Sequence, residues 1–229
     1  MPHIRVKICG VTTPTDAAFA ADCGADALGV NFYPKSPRFL TLPHAQELLR
    51  AIPPFTSCVG VFVTDQFEDV RSTSIALGLR AVQTYSAEPP LASAFFPSAH
   101  VPAFRVKDSA DLDAIRRFVS RCQPAAVLVD SYVAGEMGGT GHQAPWHLLA
   151  GFDPGVPLIL AGGLTPDNVA EAIRLVKPWG VDVASGVESA PGRKDPDKVR
   201  AFVQAVRTVA AEFGSEPGVA GLPPFSALR

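Results

Sequence analysis

The stretch VPLILAGGLTPDNVAEAIRLVKPWGVDVAS, residues 156–185, contains the unit from which this chain is built. An apolar run at 156–161 is followed by an amphipathic stretch at 166–176 and by a second apolar run at 180–185. Short runs rich in Val, Ile, Leu and Ala are typical of strands buried on both faces, as in parallel sheets covered by helices. The stretch therefore predicts one strand–helix–strand unit of an α/β fold.

The same alternation extends along most of the chain. Strands are predicted at 4–9, 26–32, 58–63, 79–84, 101–106, 125–130, 156–161 and 180–185. Helices are predicted at 14–23, 43–51, 66–77, 109–121, 166–176 and 195–212, with weaker patterns at 88–97 and 145–151. A doubly wound open sheet usually has five or six strands and a Gly-rich first turn. Eight units predict a closed (β/α)8 TIM barrel instead.

The length of the chain is compatible with a single domain. At 229 residues it is long enough to bury one sizeable core. We predict a (β/α)8 barrel over residues 1–213. The following segment, 214–229, is rich in Gly and Pro and has no clear period, so we predict an irregular C-terminal tail.

Composition and charge exclude several classes of function. Lys and Arg number 20 and Asp and Glu number 22, a net charge of −2 that argues against a nucleic-acid partner. No apolar run approaches the roughly 18 residues needed to cross a membrane. The first residues lack a signal-peptide pattern, so a cytoplasmic location is expected. The four cysteines form no CxxC pair, which indicates neither a zinc site nor disulfides.

In a TIM barrel the reactive side chains lie at the carboxyl ends of the strands. Cys9 ends the first predicted strand, and Asp130 ends the sixth. Strand alternation places Lys7 on the same face as Cys9, one layer deeper, where a lysine needs a counter-charge. Barrel closure brings strand 8, with Asp182, beside strand 1. We therefore predict a Lys7–Asp182 pair within about 6 Å beneath Cys9, whose positive charge would favour the thiolate.

Two turns of small residues follow the last two strands. Gly162 and Gly163 end strand 7, and Ser185 and Gly186 follow strand 8. Phosphate sites in these barrels commonly use the two corresponding loops, although both could also be ordinary tight turns. We predict a phosphate site at these four residues. Arg38, in a proline-braced loop after strand 2, is placed to bind a carboxylate.

Several motifs, in the same order, resemble the phosphoribosylanthranilate isomerase family of tryptophan biosynthesis. They are KICG at 7–10, GVNFYPKSPR at 29–38, GVFV at 60–63, VQ at 82–83, GGTG at 138–141, LAGGLTPDNV at 160–169 and GVDVASGVE…PGRKD at 180–195. The resemblance covers residue 7 to about residue 200. It implies a TIM-barrel isomerase that needs neither a metal nor an organic cofactor.

The resemblance also implies roles for particular residues. Cys9 corresponds to the general base, Asp130 to the general acid, and Arg38 to the arginine that faces the anthranilate ring and its carboxylate. Gly162, Gly163, Ser185 and Gly186 correspond to the phosphate-binding turns. We also predict Lys7, Gln83 and Asp182 as substrate-binding residues. Gly10 would keep the strand end open for the substrate ring. The implied partner is a small phosphosugar, bound by a monomer or a homodimer.

The chain departs from the family at three places. Gln83-Thr84-Tyr85-Ser86 replaces QLHG, His142-Gln143-Ala144-Pro145-Trp146 replaces a Phe-Asp-Trp element, and Ala184 replaces a serine. We expect these changes to affect contacts at the rim. Two alternatives stay open. One is a two-substrate isomerase that also acts on the histidine-pathway aminoaldose, although those enzymes use two aspartates. The other is a phosphometabolite-binding protein without turnover.

Overall fold

Eight parallel strands close into a barrel in the computed structural model, which describes residues 3–64, 66–86, 95–130 and 146–215. The strands are β1 (Arg5–Cys9), β2 (Ala27–Asn31), β3 (Ser57–Val63), β4 (Ala81–Tyr85), β5 (Ala99–Arg105), β6 (Val127–Asp130), β7 (Leu158–Ala161) and β8 (Gly180–Val183). Each strand pairs with the next, and β1 pairs with β8 to close the ring. The predicted (β/α)8 class is confirmed.

All six predicted helices are present. They are α1 (Pro14–Asp22), α2 (Leu42–Arg50), α3 (Phe67–Leu77), α4 (Ser109–Cys122), α5 (Val169–Val176) and α6 (Pro196–Ser215). The weaker pattern at 145–151 contains a 3-10 helix at Trp146–Leu149, and most of 88–97 lies outside the described residues. The sequence did not predict a short antiparallel hairpin after β8, formed by β9 (Glu188–Ala190) and β10 (Arg193–Lys194).

The start of α5 lies three residues later than predicted, at Val169 instead of position 166. The Asn168 side chain explains the difference. Its Oδ1 accepts a hydrogen bond from the Thr165 N–H at 2.8 Å, and its Nδ2 donates to the Gly163 carbonyl at 2.9 Å. An Asn side chain bonded to nearby backbone groups stabilises a turn in competition with the helix. Residues 165–168 therefore belong to the turn that follows β7.

Strand alternation divides the core into two layers. The larger layer lies between the barrel and the helices and includes Val6, Ile8 and Leu28. The smaller layer fills the barrel interior with Val101, Ala103, Ala126, Leu128, Ile159 and Ala161. Lys7, Gln83 and Asp182 are buried on strand faces that point to the same interior. The polar residues of the interior are thus grouped on β1, β4 and β8.

His100 is a buried histidine on the outer face of β5. It is 2% exposed, its Nε2 lies 2.9 Å from Thr84 Oγ1, and its ring lies 4.8 Å from the ring of Phe96. Burial lowers the pKa of His100 from 6.5 to about 4. The folded protein therefore keeps this ring neutral at a pH where the unfolded chain binds a proton.

We expect His100 to destabilise the fold in mild acid. Below pH 6.5 the unfolded histidine takes up a proton while the folded one does not until about pH 4, so stability falls as the pH falls. The loss attributable to His100 between about pH 7.5 and about pH 5 is roughly 2 kcal/mol. Urea unfolding at both pH values measures it. A His100→Asn variant should lose less stability over this interval, and an unchanged pH slope would refute the assignment.

The predicted boundary between the barrel and an irregular C-terminal tail is not tested by the described residues. Helix α6 continues to Ser215, two residues past the predicted boundary, and residues 216–229 lie outside the described part. The irregular tail therefore stays a prediction. Among the described residues, no helix is both long and apolar enough to cross a membrane.

Candidate active site

A buried ion pair lies beneath the end of β1. Lys7 Nζ donates to Asp182 Oδ1 at 2.9 Å, and both side chains are less than 10% exposed. The two residues are direct neighbours in the β1–β8 register, because alternation turns both side chains toward the barrel interior. The predicted Lys7–Asp182 pair is confirmed.

Cys9 lies one layer above this pair, opposite Gly29 of β2 in the strand register. A Cβ on Gly29 would lie 2.8 Å from Cys9 Sγ and 3.0 Å from Lys7 Nζ. Such distances are too short for a side-chain carbon, so any larger residue would displace the thiol or the ammonium group. Gly29 therefore provides the space in which Cys9 and Lys7 lie together.

Nearby positive charge favours the Cys9 thiolate, as predicted, but the net shift of the Cys9 pKa is upward. Burial raises the pKa of the thiol above its usual 9.0, and the Asp182 carboxylate raises it further. Lys7 and Lys194 lower it, but less than the first two effects raise it. The thiol is therefore neutral around pH 7, and the lysines only limit the cost of ionising it.

Removing one partner of the Lys7–Asp182 pair is expected to destabilise the fold. Asp182→Asn leaves the Lys7 charge buried without a counter-charge, which should lower the free energy of unfolding by about 3 kcal/mol. Urea unfolding measures the loss. Asp197→Asn is the control, because the Asp197 side chain is 94% exposed in its pair with Arg200 and should change stability by less than about 1 kcal/mol. Equal effects of the two substitutions would contradict the prediction.

Arg38 forms a bidentate ion pair with Glu188 at the mouth of the barrel. Its Nε donates to Oε1 at 2.8 Å and its Nη2 to Oε2 at 2.6 Å. Gly10, with φ +70°, lies directly against this arginine, and a Cβ on Gly10 would overlap the Arg38 side chain. The expectation that Gly10 leaves space for a substrate ring was wrong, because Arg38 fills that space.

Glu188 and Lys194 were missed by the sequence analysis, although both lie inside a quoted motif. Lys194 Nζ donates to Glu188 Oε1 at 2.9 Å, to the Cys9 carbonyl at 2.6 Å and to the Ala184 carbonyl at 3.1 Å. Burial alone would raise the pKa of Glu188, but hydrogen bonds from Arg38 and Lys194 outweigh burial and lower it. The carboxylate is therefore held ionised between two cations.

The turns after β7 and β8 come together at the mouth. Gly162 and Gly163 both have positive φ, +89° and +65°, which glycine adopts without strain. A Cβ on Gly186 would overlap the Leu164 carbonyl oxygen, so glycine is required where the second turn packs on the first. Ser185 starts this second turn. The four predicted phosphate-binding residues thus lie on two adjoining turns.

The β4 and β6 ends contribute three polar groups to the mouth. Gln83 is 1% exposed, and its Nε2 donates to the Tyr85 hydroxyl at 3.3 Å, whereas its Oε1 has no hydrogen-bond partner among the described residues. Burial raises the pKa of Tyr85, and the charges of Asp130, Asp182 and Cys9 raise it further. Tyr85 therefore faces the same space as these three residues, and its replacement of the family's histidine is not confined to the rim.

A cavity of about 450 Å³ opens on the side of the mouth opposite the glycine turns. It lies at the ends of β3, β4 and β5, and its lining includes Tyr85, Ser86 and Arg105. Arg105 is the register neighbour of the half-buried Asp130. The cavity thus borders Arg105, the neighbour of Asp130, and reaches Tyr85 and Ser86 of the substituted QTYS segment at 83–86.

Two of the segments quoted from the sequence lie outside the described residues. These are GGTG at 138–141 and His142. Within the described ranges, no group of three His, Cys, Asp or Glu side chains is arranged to hold a metal ion. The described geometry places a thiol, a carboxylate and two glycine turns at one end of a closed parallel barrel. It defines the class as a TIM-barrel enzyme with its chemistry at the carboxyl ends of the strands.

Comparison with known proteins identifies the family. The family model of N-(5'-phosphoribosyl)anthranilate (PRA) isomerase matches residues 6–205. The isomerase of that name from Myxococcus xanthus (strain DK1622) is 48% identical over 207 residues, covering 90% of this chain and 97% of the relative. The chain therefore belongs to the N-(5'-phosphoribosyl)anthranilate isomerase family and is an isomerase.

Two solved structures have the same fold over the same part of the chain. The crystal structure of phosphoribosyl anthranilate isomerase from Thermotoga maritima superposes with a TM-score of 0.82 at 35% identity, covering 90% of this chain and all of that one. A second structure of a phosphoribosyl anthranilate isomerase superposes with a TM-score of 0.79 at 33% identity, with the same coverage. That protein is in complex with reduced 1-(o-carboxyphenylamino)-1-deoxyribulose 5-phosphate.

Proposed function

We propose that this chain converts N-(5-phosphoribosyl)anthranilate to 1-(2-carboxyphenylamino)-1-deoxyribulose 5-phosphate in tryptophan biosynthesis, with Cys9 as general base and Asp130 as general acid. The observation that carries the proposal is the placement of Cys9. Its thiol lies at the mouth, above the buried Lys7–Asp182 pair, in a chain of this isomerase family. The complex of a related isomerase with a reduced product supports the substrate class.

The first step requires an acid. Asp130, carrying a proton, transfers it to the ring oxygen of the ribose as the C1–O bond breaks. The ring oxygen becomes the C4 hydroxyl group, and the nitrogen lone pair forms a C=N bond to C1, which gives an open-chain Schiff base. Because Asp130 ends β6 and is only half-buried, its carboxyl group lies at the opening where substrate arrives. An acid positioned in this way contributes on the order of 10²–10⁴-fold to the rate.

The second step requires a base. The Cys9 thiolate removes the proton from C2, and the electron pair of the C–H bond forms a C1=C2 double bond while the C=N bond becomes an N–H amine. The resulting enolamine then gains a proton at C1 and loses one from the C2 hydroxyl, which leaves the ketone. Lys7 and Lys194 act on this step, because their charges oppose the burial and the Asp182 charge that raise the pKa of Cys9.

Substrate binding is proposed at both ends of the mouth. The phosphate binds at Gly162, Gly163, Ser185 and Gly186, on two adjoining turns whose glycines let the backbone come close to an anion. The anthranilate carboxylate binds Arg38, whose Nη1 edge lies outside its contact with Glu188. Lys7, Gln83 and Asp182 stay predicted substrate-binding residues. A cofactor-free reaction, a cytoplasmic location and a monomeric or homodimeric state are also predictions.

One assay tests the proposal against both alternatives. Purified protein is mixed with N-(5-phosphoribosyl)anthranilate, and the loss of its fluorescence is followed beside turnover of the histidine-pathway aminoaldose. We expect turnover of the anthranilate substrate alone. Turnover of both substrates would indicate a two-substrate isomerase, and binding of a reduced product analogue without turnover of either would indicate a non-catalytic binding protein.

A further inference from the structure

We propose that Lys194 is a positioning residue for the catalytic base, holding the main chain of Cys9 to the phosphate turn and stabilising the thiolate when it forms. The proposal rests on the function proposed above, in which Cys9 is the base. Lys194 lies in the quoted PGRKD motif, but no role was predicted for it from the sequence. The proposal is carried by the contacts of one ammonium group.

The three hydrogen bonds of Lys194 join three separate parts of the site. Its Nζ is bonded to the carbonyl oxygen of Cys9 at 2.6 Å and to that of Ala184, directly before the Ser185–Gly186 turn, at 3.1 Å. The third bond goes to Glu188 Oε1 at 2.9 Å. An ammonium group has three donors, and all three are used here. One side chain therefore fixes the distance between the end of β1 and the turn after β8.

The environment of Lys194 keeps this ammonium group in place. The side chain is 1% exposed, and the carboxylate that balances its charge is 5% exposed. The main-chain N–H of Lys194 also donates to Asp16 Oδ2 at 3.2 Å, and Thr12 Oγ1 donates to the Gly192 carbonyl at 2.5 Å. The β9–β10 hairpin is thus attached to the segment that follows Cys9, and Lys194 cannot move independently of it.

The charge of Lys194 acts on Cys9 together with four other groups. Lys7 lies below the thiol on β1, and Asp182 lies beside it on β8. Arg38 faces the thiol from the loop after β2, and Tyr85 faces it from β4. Asp182 raises the pKa of Cys9, whereas Lys7 and Lys194 lower it. Lys7 is already paired with Asp182. Lys194 is therefore the second cation that lowers the free-energy cost of ionising the Cys9 thiol.

Glu188 connects the same lysine to the arginine at the mouth. Its Oε1 accepts from both Lys194 Nζ and Arg38 Nε, and its Oε2 accepts from Arg38 Nη2. Loss of Lys194 therefore removes one of the two cations that hold the Glu188 carboxylate. We expect the orientation of Arg38 to become less restricted, so KM for the anthranilate substrate should rise as well.

The test compares Lys194→Met and Lys194→Gln with Lys198→Met. Lys198, on α6, is exposed, and its side chain donates to the main-chain oxygen of Glu188 at 2.9 Å, so Lys198→Met controls for loss of a neighbouring lysine. We measure the pH profile of kcat/KM and the rate at which iodoacetamide alkylates Cys9, read by peptide mass spectrometry. Both Lys194 variants should shift the rising limb of both profiles to higher pH, lowering kcat/KM at neutral pH by about tenfold. Lys198→Met should leave both profiles unchanged.

Each outcome decides the question. Folded Lys194 variants with a wild-type pH profile would reject the proposal, as would a fall in kcat/KM that is equal at every pH. If neither variant folds, as judged by circular dichroism, Lys194 is a structural residue and the proposal is rejected. A fully active Cys9→Ala protein would overturn the proposed function instead, so the two failures can be told apart.

Discussion

Replacing Cys9 by alanine is expected to lower kcat by on the order of 10²–10⁴-fold while substrate still binds nearly as well. The methyl group cannot accept the proton from C2, but Arg38 and the glycine turns, which we propose hold the two ends of the substrate, are untouched. Steady-state kinetics by fluorescence give kcat and KM. Binding of a reduced product analogue, measured by calorimetry, shows whether the site is intact.

The matched control is Cys58→Ala. Cys58 is a second buried thiol, 7% exposed, but it lies on the outer side of β3 in the core between barrel and helices. Burial raises the pKa of Cys58 to about 12, and its position in the outer core keeps it away from the mouth where substrate would bind. We expect the Cys58→Ala variant to lose some stability and to retain turnover. A Cys9→Ala protein as active as Cys58→Ala would show that Cys9 is not the base.

Replacing Asp130 by asparagine is expected to have an effect of the same order, about 10²–10⁴-fold in kcat. The amide has nearly the shape of the carboxyl group but has no acidic proton to give the ring oxygen, so the ribose ring stays closed. Turnover is measured by the same fluorescence assay. Asp113→Asn is the control, because this carboxylate is exposed on α4 and, within the described part of the chain, forms an ion pair with Arg116 alone. Equal turnover by the two variants would remove Asp130 from the mechanism.

The sequence was most informative about features that follow from periodicity and closure. Alternation in β1 puts Lys7 on the face of Cys9, and closure of eight parallel strands puts β8 beside β1. Asp182 was then the carboxylate able to balance Lys7, and the pair was found at 2.9 Å. Local pattern and topology together were sufficient, because no loop conformation enters this argument.

Contacts that depend on the conformation of loops were not predicted. Lys194 reaches the Cys9 carbonyl across 185 residues of sequence, and only the folded β9–β10 hairpin brings them together. The start of α5 was misplaced because the Asn168 side chain bonds to Thr165 and Gly163 in a way that composition does not reveal. In both cases the decisive contact is a side chain bonding to the main chain of another residue, which the pattern of residue types does not reveal.

The direction of the pKa shift at Cys9 could not be predicted from the sequence either. Lys7 and Lys194 act to lower the pKa, but burial and Asp182 act to raise it, and the net direction depends on how deeply the thiol is buried. Tyr85 is a similar case. Its place in the QTYS departure suggested a rim residue, whereas its orientation on β4 turns it toward Cys9, Asp130 and Asp182. How deeply the side chains of Cys9 and Tyr85 lie in the mouth is known only from the folded structure.

The assignment of two different proton transfers to Cys9 and Asp130 is tested most directly by a single-turnover isotope effect. The substrate is prepared with hydrogen or with deuterium at C2, and its rates are compared in Cys9→Ser and in Asp130→Asn. If Cys9 is the base, removal of the C2 proton limits Cys9→Ser, which should show a large primary isotope effect. If Asp130 is the acid, ring opening limits Asp130→Asn, and its isotope effect should be close to one. The reverse pattern, or equal effects in the two variants, would contradict the mechanism.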